Sequence, residues 1–196
     1  IYVTANPVCP QYLARSNNRV QDGLARLTRD QDIIARNWLI LDVDPVRLAG
    51  VSSTAQELEH AKRTAQAIVD HLENDRVWPP GLRAFSGNGF HLLYKIALRN
   101  VDADRILVQA VIATLANKFS DAYAHVDPTM YNAARILKFH GTTARKGDST
   151  LDRPHRQSKL LCDPERPPLF AQVATVQEFQ LRELAAMPVI TLADPP

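Results

Sequence analysis

Asp42 and Asp44 stand two residues apart at the end of an apolar, β-branched run, Trp38-Leu39-Ile40-Leu41-Asp42-Val43-Asp44. In a strand, residues i and i+2 share a face. Leu39, Leu41 and Val43 therefore point into a core, and the two carboxylates point together to the other side. Like charges held that close repel, so one pKa rises unless a cation neutralises the pair. Mg²⁺ and Mn²⁺ are hard cations that prefer such carboxylate oxygens. Two further stretches carry chemistry: Ser86-Gly87-Asn88-Gly89-Phe90-His91, and Val126-Asp127. Glycines at 87 and 89 let backbone approach a phosphate without a Cβ. Ser86 and His91 can donate hydrogen bonds to phosphate oxygens. With Asp127 as a third carboxylate, the set suits two metals about 3.5–4 Å apart, the arrangement of nucleotidyl transfer. Each residue alone also has a plainer use. Asp42 and Asp44 could be solvated at a strand exit, the glycines a hairpin turn, His91 a half-buried strand histidine, and Asp127 a cap on the turn at Pro128.

The elements that must position these residues follow from pattern. Pro45 has no N–H and closes the first strand. Ser52-Ser53-Thr54 then opens a helix, with Thr54 and Glu57 at capping-box spacing. Its apolar stripe is Leu58, Ala61, Ala65, Ile68, Val69 and Leu72. Pro79-Pro80-Gly81 breaks the chain. Leu82 to Phe85 and Phe90 to Leu98 read as strands joined at Asn88-Gly89, a strong hairpin signal. A second helix runs from Asp102 to about Phe119, with Ile106, Ala110, Ala113 and Val111 or Leu115 on its buried side. His125 to Asp127 is a short fourth strand. The order is β-α-β-β-α-β, so the predicted fold is α+β with a ferredoxin/RRM-like split β-α-β core over about residues 36–130. The first and third strands of that arrangement are neighbours. His91 then lies beside the carboxylate pair, and Asp127 closes the site from the last strand. Two helices cover one face of the sheet, leaving the other to carry the site.

On either side lie smaller parts. Residues 1–35 form an N-terminal lobe with a short strand at Ile1 to Val3 and scattered Arg15, Arg19, Arg26 and Arg29 around a break at Asn17-Asn18. Residues 131–196 form a C-terminal basic extension. It has strands at Arg135 to Phe139 and Arg156 to Leu161, a glycine-flanked basic loop from Gly141 to Asp148, and a helix opened by Thr175 and Glu178 that ends near Met187.

Length and composition set the class. A chain of 196 residues, 45% hydrophobic and 22% charged, is one soluble globular domain with lobes. The net charge is +2, yet the eight basic and four acidic residues from Arg135 to Arg166 alone carry +4. That asymmetry suggests a surface meant for phosphates, the plainer alternative being a solvated arginine-rich loop. Cys9 and Cys162 make neither a disulfide framework nor a zinc site, which suggests a reducing, cytoplasmic setting. No run approaches the ~18–20 apolar residues of a membrane span, and no signal peptide is visible. The ends, Ile1 and Pro195-Pro196, suggest a domain cut from a longer protein.

A strand ending in Asp42-Val43-Asp44, then Ser86-Gly87-Asn88-Gly89-Phe90-His91, then Val126-Asp127, resembles the motif order of the archaeo-eukaryotic primase superfamily. The chain looks like the primase-polymerase domains of phages, plasmids and related mobile elements, from about residue 2 to 161. Supporting stretches are Tyr2 to Pro7, Asn132 to Leu137, Gly141-Thr142, Lys146-Gly147 and Arg153 to Arg156. The resemblance implies template-directed DNA primase or polymerase activity, with two Mg²⁺ or Mn²⁺ ions on Asp42, Asp44 and Asp127. It implies that Ser86, Gly87, Asn88, Gly89, His91, Arg135 and Lys138 hold the incoming NTP or dNTP. It implies that Arg145, Lys146, Arg153, His155 and Arg156 meet a single-stranded DNA template and primer, and that a helicase could share the parent polypeptide. From a different class, a non-catalytic single-stranded nucleic-acid-binding or replication-initiator domain would suit the same sheet.

Overall fold

A computed structural model describes residues 1–15, 27–162 and 172–188. The chain runs β1 (Tyr2–Thr4), β2 (Ala35–Pro45), α1 (Ala55–Val69), β3 (Leu82–Phe85), β4 (Phe90–Arg99), α2 (Asp102–Phe119), β5 (Ala124–Val126), β6 (Ile136–Lys138), β7 (Thr143–Ala144), β8 (Arg156–Gln157), β9 (Lys159–Leu160) and α3 (Glu178–Ala185). Short 3₁₀ turns occupy Pro10–Arg15 and Asp30–Asp32. The fold is α+β, built on an antiparallel five-stranded sheet in the order β5-β2-β4-β3-β9.

The register of β2 against β4 decides which residues meet. It sets Leu41 opposite Leu92, Asp42 opposite His91 and Val43 opposite Phe90. Leu39, Leu41 and Val43 are fully buried, beside Leu92, Tyr94 and Ile96 of β4 and Ala61, Ala65, Ile68 and Val69 of α1. This is the helix-covered face. Truncating one such side chain, Leu41→Ala, would cost about 2–5 kcal/mol.

α1 begins as the capping box requires. Glu57 N–H donates to Thr54 Oγ1 at 3.1 Å, and Thr54 N–H donates to Glu57 Oε2 at 2.8 Å. The helix passes into a π-helical turn, Asp70–Asp75, which keeps Leu72 in the core. Tyr94 donates its hydroxyl to Glu73 Oε1 at 3.1 Å on that turn.

Several expectations are corrected. On α2 the buried stripe is Leu107, Val108, Val111, Ile112 and Leu115, while Ile106 is 57% exposed and Ala110 and Ala113 are half-buried. Both stripes have helical spacing, and the bulkier one wins because it removes more apolar area from water. α3 starts later than Thr175 and Glu178 suggest. Gln177 N–H donates to Gln180 Oε1 at 2.9 Å, and Thr175 instead bridges Lys95. The strand expected at Arg156 to Leu161 is divided at Ser158, whose N–H and Oγ both donate to Thr142 O. β8 therefore pairs with β7, and β9 extends the main sheet beside β3.

The sheet face away from α1 and α2 is not left open. β1 and β6 pair as a separate ribbon. An apolar cavity of about 350 Å³ is lined by Val3 and Leu137 of that ribbon and by Trp38, Leu82, Leu93 and Leu160 of the sheet. Among the described residues no helix is long and apolar enough to cross a membrane. Asn17, Asn18, Arg19, Arg26, Asp163, Glu165 and Arg166 lie outside the described residues.

Candidate functional site

A cleft of about 320 Å³ opens at the end of β2. It is lined by Asp42, Asp44 and His91 of the sheet, by Ser86 and Asn88 of the β3–β4 turn, and by Lys138, Arg145 and Lys146. Tyr2 and Met130 complete the rim. The period of two along β2 puts both carboxylates here, as their spacing predicts.

Asp42 is the most perturbed acid. Its side chain keeps 26% exposure overall, but Oδ1 is buried without a hydrogen-bond partner. His91 Nε2 lies 3.6 Å away, close enough for electrostatics and too long for a hydrogen bond. Burial, then the charges of Asp44 and Asp127, push the Asp42 carboxyl up to about 8, against the pull of Lys146 and Arg47. Asp44 Oδ1 sits 3.5 Å from Arg47 Nη1. Arg47 is aimed by Nε donating to Val51 O and Nη1 donating to Pro45 O, each at 3.2 Å.

The turn after β3 is packed against this pair. Gly89 passes so near β2 that a Cβ would strike Asp44 Oδ1 and Val43 O. Gly87 has φ +100°, and a Cβ there would meet Ala144. Ser86 Oγ accepts from Gly89 N–H at 2.9 Å, which leaves its own hydrogen free to donate into the cleft. Asn88 is turned to the protein: its Oδ1 accepts from Ser53 N–H at 2.8 Å, and its carbonyl accepts from Ser53 Oγ at 2.7 Å. The residue therefore ties the turn to the segment leading into α1.

His91 is buried beside a second imidazole, with Nδ1 3.3 Å from His140 Nε2. Burial, then His140, hold its pKa down at about 4, so the ring is neutral at neutral pH. Lys138 is buried and donates Nζ to Thr143 O at 2.8 Å, with its charge 5.2 Å from the Tyr2 ring centre.

Asp127 is a neighbour by backbone rather than by carboxylate. Its N–H donates to Asp42 O at 2.9 Å. Its Oδ1 accepts from Thr129 N–H and Oγ1 at 2.8 and 2.6 Å, and Arg135 Nη2 lies 3.4 Å from Oδ2. Neither Asp127 nor Arg135 lines the cleft.

The basic loop divides in two. Arg145 and Lys146 face the cleft, whereas Arg153 and Arg156 turn inward. Arg153 pairs with Glu57 through both guanidinium arms at 2.7 and 2.8 Å and donates to Ser52 O at 2.7 Å. Arg156 donates to Ser53 O at 2.6 Å. His155 Nε2 lies 2.8 Å from Gly147 O. Together with Ser52 Oγ donating to Lys146 O at 3.1 Å, these contacts pin the loop to the start of α1 and so present Lys146 to Asp42.

Among the described residues no three His, Cys, Asp or Glu side chains converge as a metal cage. The donor chemistry of the carboxylate pair nevertheless suits a hard divalent cation. Asp42 Oδ1 is orphaned, Asp44 adjoins it, and their repulsion is what a cation relieves. Sequence reasoning missed Arg47, Tyr2, Met130 and His140. Arg47 was findable as a cation three residues after Asp44, and Met130 as a neighbour of Asp127 in sequence; Tyr2 and His140 come in with the β1–β6 ribbon and the turn after it. No protein-family model, curated protein or solved structure matches the chain.

Proposed function

We propose that this chain is a template-directed nucleotidyltransferase of the primase-polymerase kind, acting on single-stranded or primed DNA with NTP or dNTP. The observation that carries the reading is the buried, unpartnered Oδ1 of Asp42 beside Asp44, in a cleft that Lys138, Arg145 and Lys146 also line. Carboxylates alone would repel a triphosphate, and cations alone would bind one without chemistry; their presence in one cleft suits both a metal and the anion it would activate. The strand order β5-β2-β4-β3 with α1 and α2 between is what a ferredoxin-like split β-α-β core has, and we read it so.

In this reading Asp42 and Asp44 would hold Mg²⁺ or Mn²⁺, while Asp127, its carboxylate held by Thr129, adds its charge to their field. Ions bound there would lower the pKa of an attacking hydroxyl and neutralise charge on the phosphates. The protein's own part is positioning. His91 and Ser86 donate to phosphate oxygens, Gly87 and Gly89 keep the turn tight against β2, and Lys138, Arg145 and Lys146 draw the polyanion in. A primed oligo-dT template tests this: in Mn²⁺ the protein should incorporate labelled dATP and reject the other three nucleotides. No incorporation, or incorporation blind to template, overturns the reading.

A second reading draws on Asp127, whose carboxylate is spent on Thr129. With only Asp42 and Asp44 as carboxylates lining it, the cleft could serve a non-catalytic single-stranded nucleic-acid-binding domain. Strong binding without incorporation favours that alternative.

A further inference from the structure

Asp42 and Asp44 each have a histidine directly across the sheet. The register sets Asp42 opposite His91 on β4 and Asp44 opposite His125 on β5. Paired residues of antiparallel strands point to the same face. On β5, Ala124 and Val126 are buried in the core and His125 is exposed, so its imidazole stands on the face that carries the carboxylates. The function proposed above uses His91 and leaves His125 without a role.

A second cavity, of about 360 Å³, opens at this end of the pair. Asp44 and Lys146 line both it and the cleft, whereas Arg47 and His125 line this cavity and not the cleft. Its distinguishing property is unspent donors. Elsewhere the cations are committed: Lys138 to Thr143 O, Arg153 to Glu57 and Ser52 O, Arg156 to Ser53 O. The Arg47 side chain is only 8% exposed, yet two of its three nitrogens carry all its contacts, Nε on Val51 O and Nη1 on Pro45 O and Asp44. Its Nη2, the His125 ring and Lys146 Nζ meet no acceptor among the described residues. A guanidinium more than nine-tenths buried with one arm free is completed by an acceptor, and an oxyanion offers several. Asp44 lines the cavity too, but Arg47 Nη1 at 3.5 Å offsets its charge. The backbone beside Lys146 is held in place, because Gly147, at φ +62°, packs so closely on Gly50 O that a Cβ would strike it.

We propose that this cavity is a phosphate subsite, in which Arg47, His125 and Lys146 hold the phosphodiester of the nucleic-acid strand next to the hydroxyl that is extended. The phosphate assignment stands on the free donors; its assignment to the strand rests on the function proposed above. In that function Ser86 and His91 take the triphosphate in the cleft. The second reactant must then reach the carboxylates from another side, and the adjoining cavity offers its phosphate three donors at Asp44.

Two affinities test this, both in Mg²⁺: a fluorescent primed oligo-dT template by anisotropy without nucleotide, and dATP by calorimetry without DNA. His125 is exposed and unpartnered, so His125→Ala should melt as wild type does. It should bind the primed template about tenfold more weakly and dATP equally well. His125→Gln keeps an N–H donor and should recover most of the lost affinity. Unchanged affinity for the primed template in His125→Ala overturns the subsite, and a glutamine variant no better than alanine overturns the donor role. A fall in dATP affinity gives the cavity to the triphosphate and overturns the strand assignment. If His125→Ala behaves as stated but wild type incorporates no nucleotide, the polymerase reading fails and the phosphate subsite stands.

Discussion

Asp127 joins Asp42 through the backbone, N–H to carbonyl at 2.9 Å, while its carboxylate is held by Thr129. The two acids therefore share an electrostatic field without sharing a ligand geometry, and Asp127 contributes to the raised pKa of Asp42. Asp127→Asn keeps an oxygen to accept from Thr129 and removes one negative charge. Its metal-free melting temperature should equal or slightly exceed wild type, by up to about 2–4 °C if relief is worth 1 kcal/mol. A clear fall in melting temperature would show that the charge on Asp127 supports the fold.

The Asp42 carboxyl gives a pH signature. Its folded pKa, about 8, lies above the ordinary 3.8, so the folded state binds the extra proton across that window. The associated stability is present at low pH and is lost as pH rises toward 8. His91 acts oppositely below about pH 6.5, because its folded pKa is lowered to about 4. Above pH 6.5 the opposing histidine contribution is gone, and comparison with Asp42→Asn cancels what other groups, such as the Ile1 amine with its lowered pKa, add up to pH 8. In chelator, wild type should lose stability there, and Asp42→Asn should not. Mn²⁺ should restore wild type by binding the native state. Parallel pH profiles for the two proteins would contradict the repulsive pair.

Gly89 is where backbone and carboxylate come closest. A Cβ at this position meets Asp44 Oδ1 and the β2 carbonyl of Val43, neither of which is the loose end of a long chain. Gly89→Ala should push the β3–β4 turn off β2 and cost about 1–3 kcal/mol. Thermal unfolding checks it, and a wild-type melting curve would mean the turn relaxes without strain.

Arg145 and Lys146 are the loop cations that face the cleft. Single-stranded DNA affinity should fall steeply with salt. Replacing both by alanine should reduce the magnitude of the log–log slope by roughly 1.4, about 0.7 for each phosphate left without its cation. Arg153, bound to Glu57, should influence the slope only through loop order. An unchanged slope in the double variant would move the nucleic-acid path elsewhere.

What was legible in the sequence was what local pattern controls. The period of two in β2 and β4 placed Asp42 and His91 on one face, the strand order made them neighbours, and Thr54 with Glu57 marked the start of α1. What was not legible depends on distant packing. Ile106 and Leu107 head equally good helical stripes, and only the packed sheet chooses. Ser158 splits a strand because two different partners, β7 and β3, compete for adjacent residues. His140 carries no local signal, since its meeting with His91 requires the β6 turn to be anchored by Ile1 and Ser158. Of the two readings of Asp127, the turn cap is the one its carboxylate takes, on Thr129, and only its backbone meets Asp42.

The most direct measurement is primer extension in Mn²⁺ by Asp42→Asn against wild type, with melting curves confirming that both are folded. The variant should fold and still bind single-stranded DNA. Its extension rate should fall by several orders of magnitude, because the charge that holds the metal has gone. Extension at the wild-type rate by folded Asp42→Asn would contradict it.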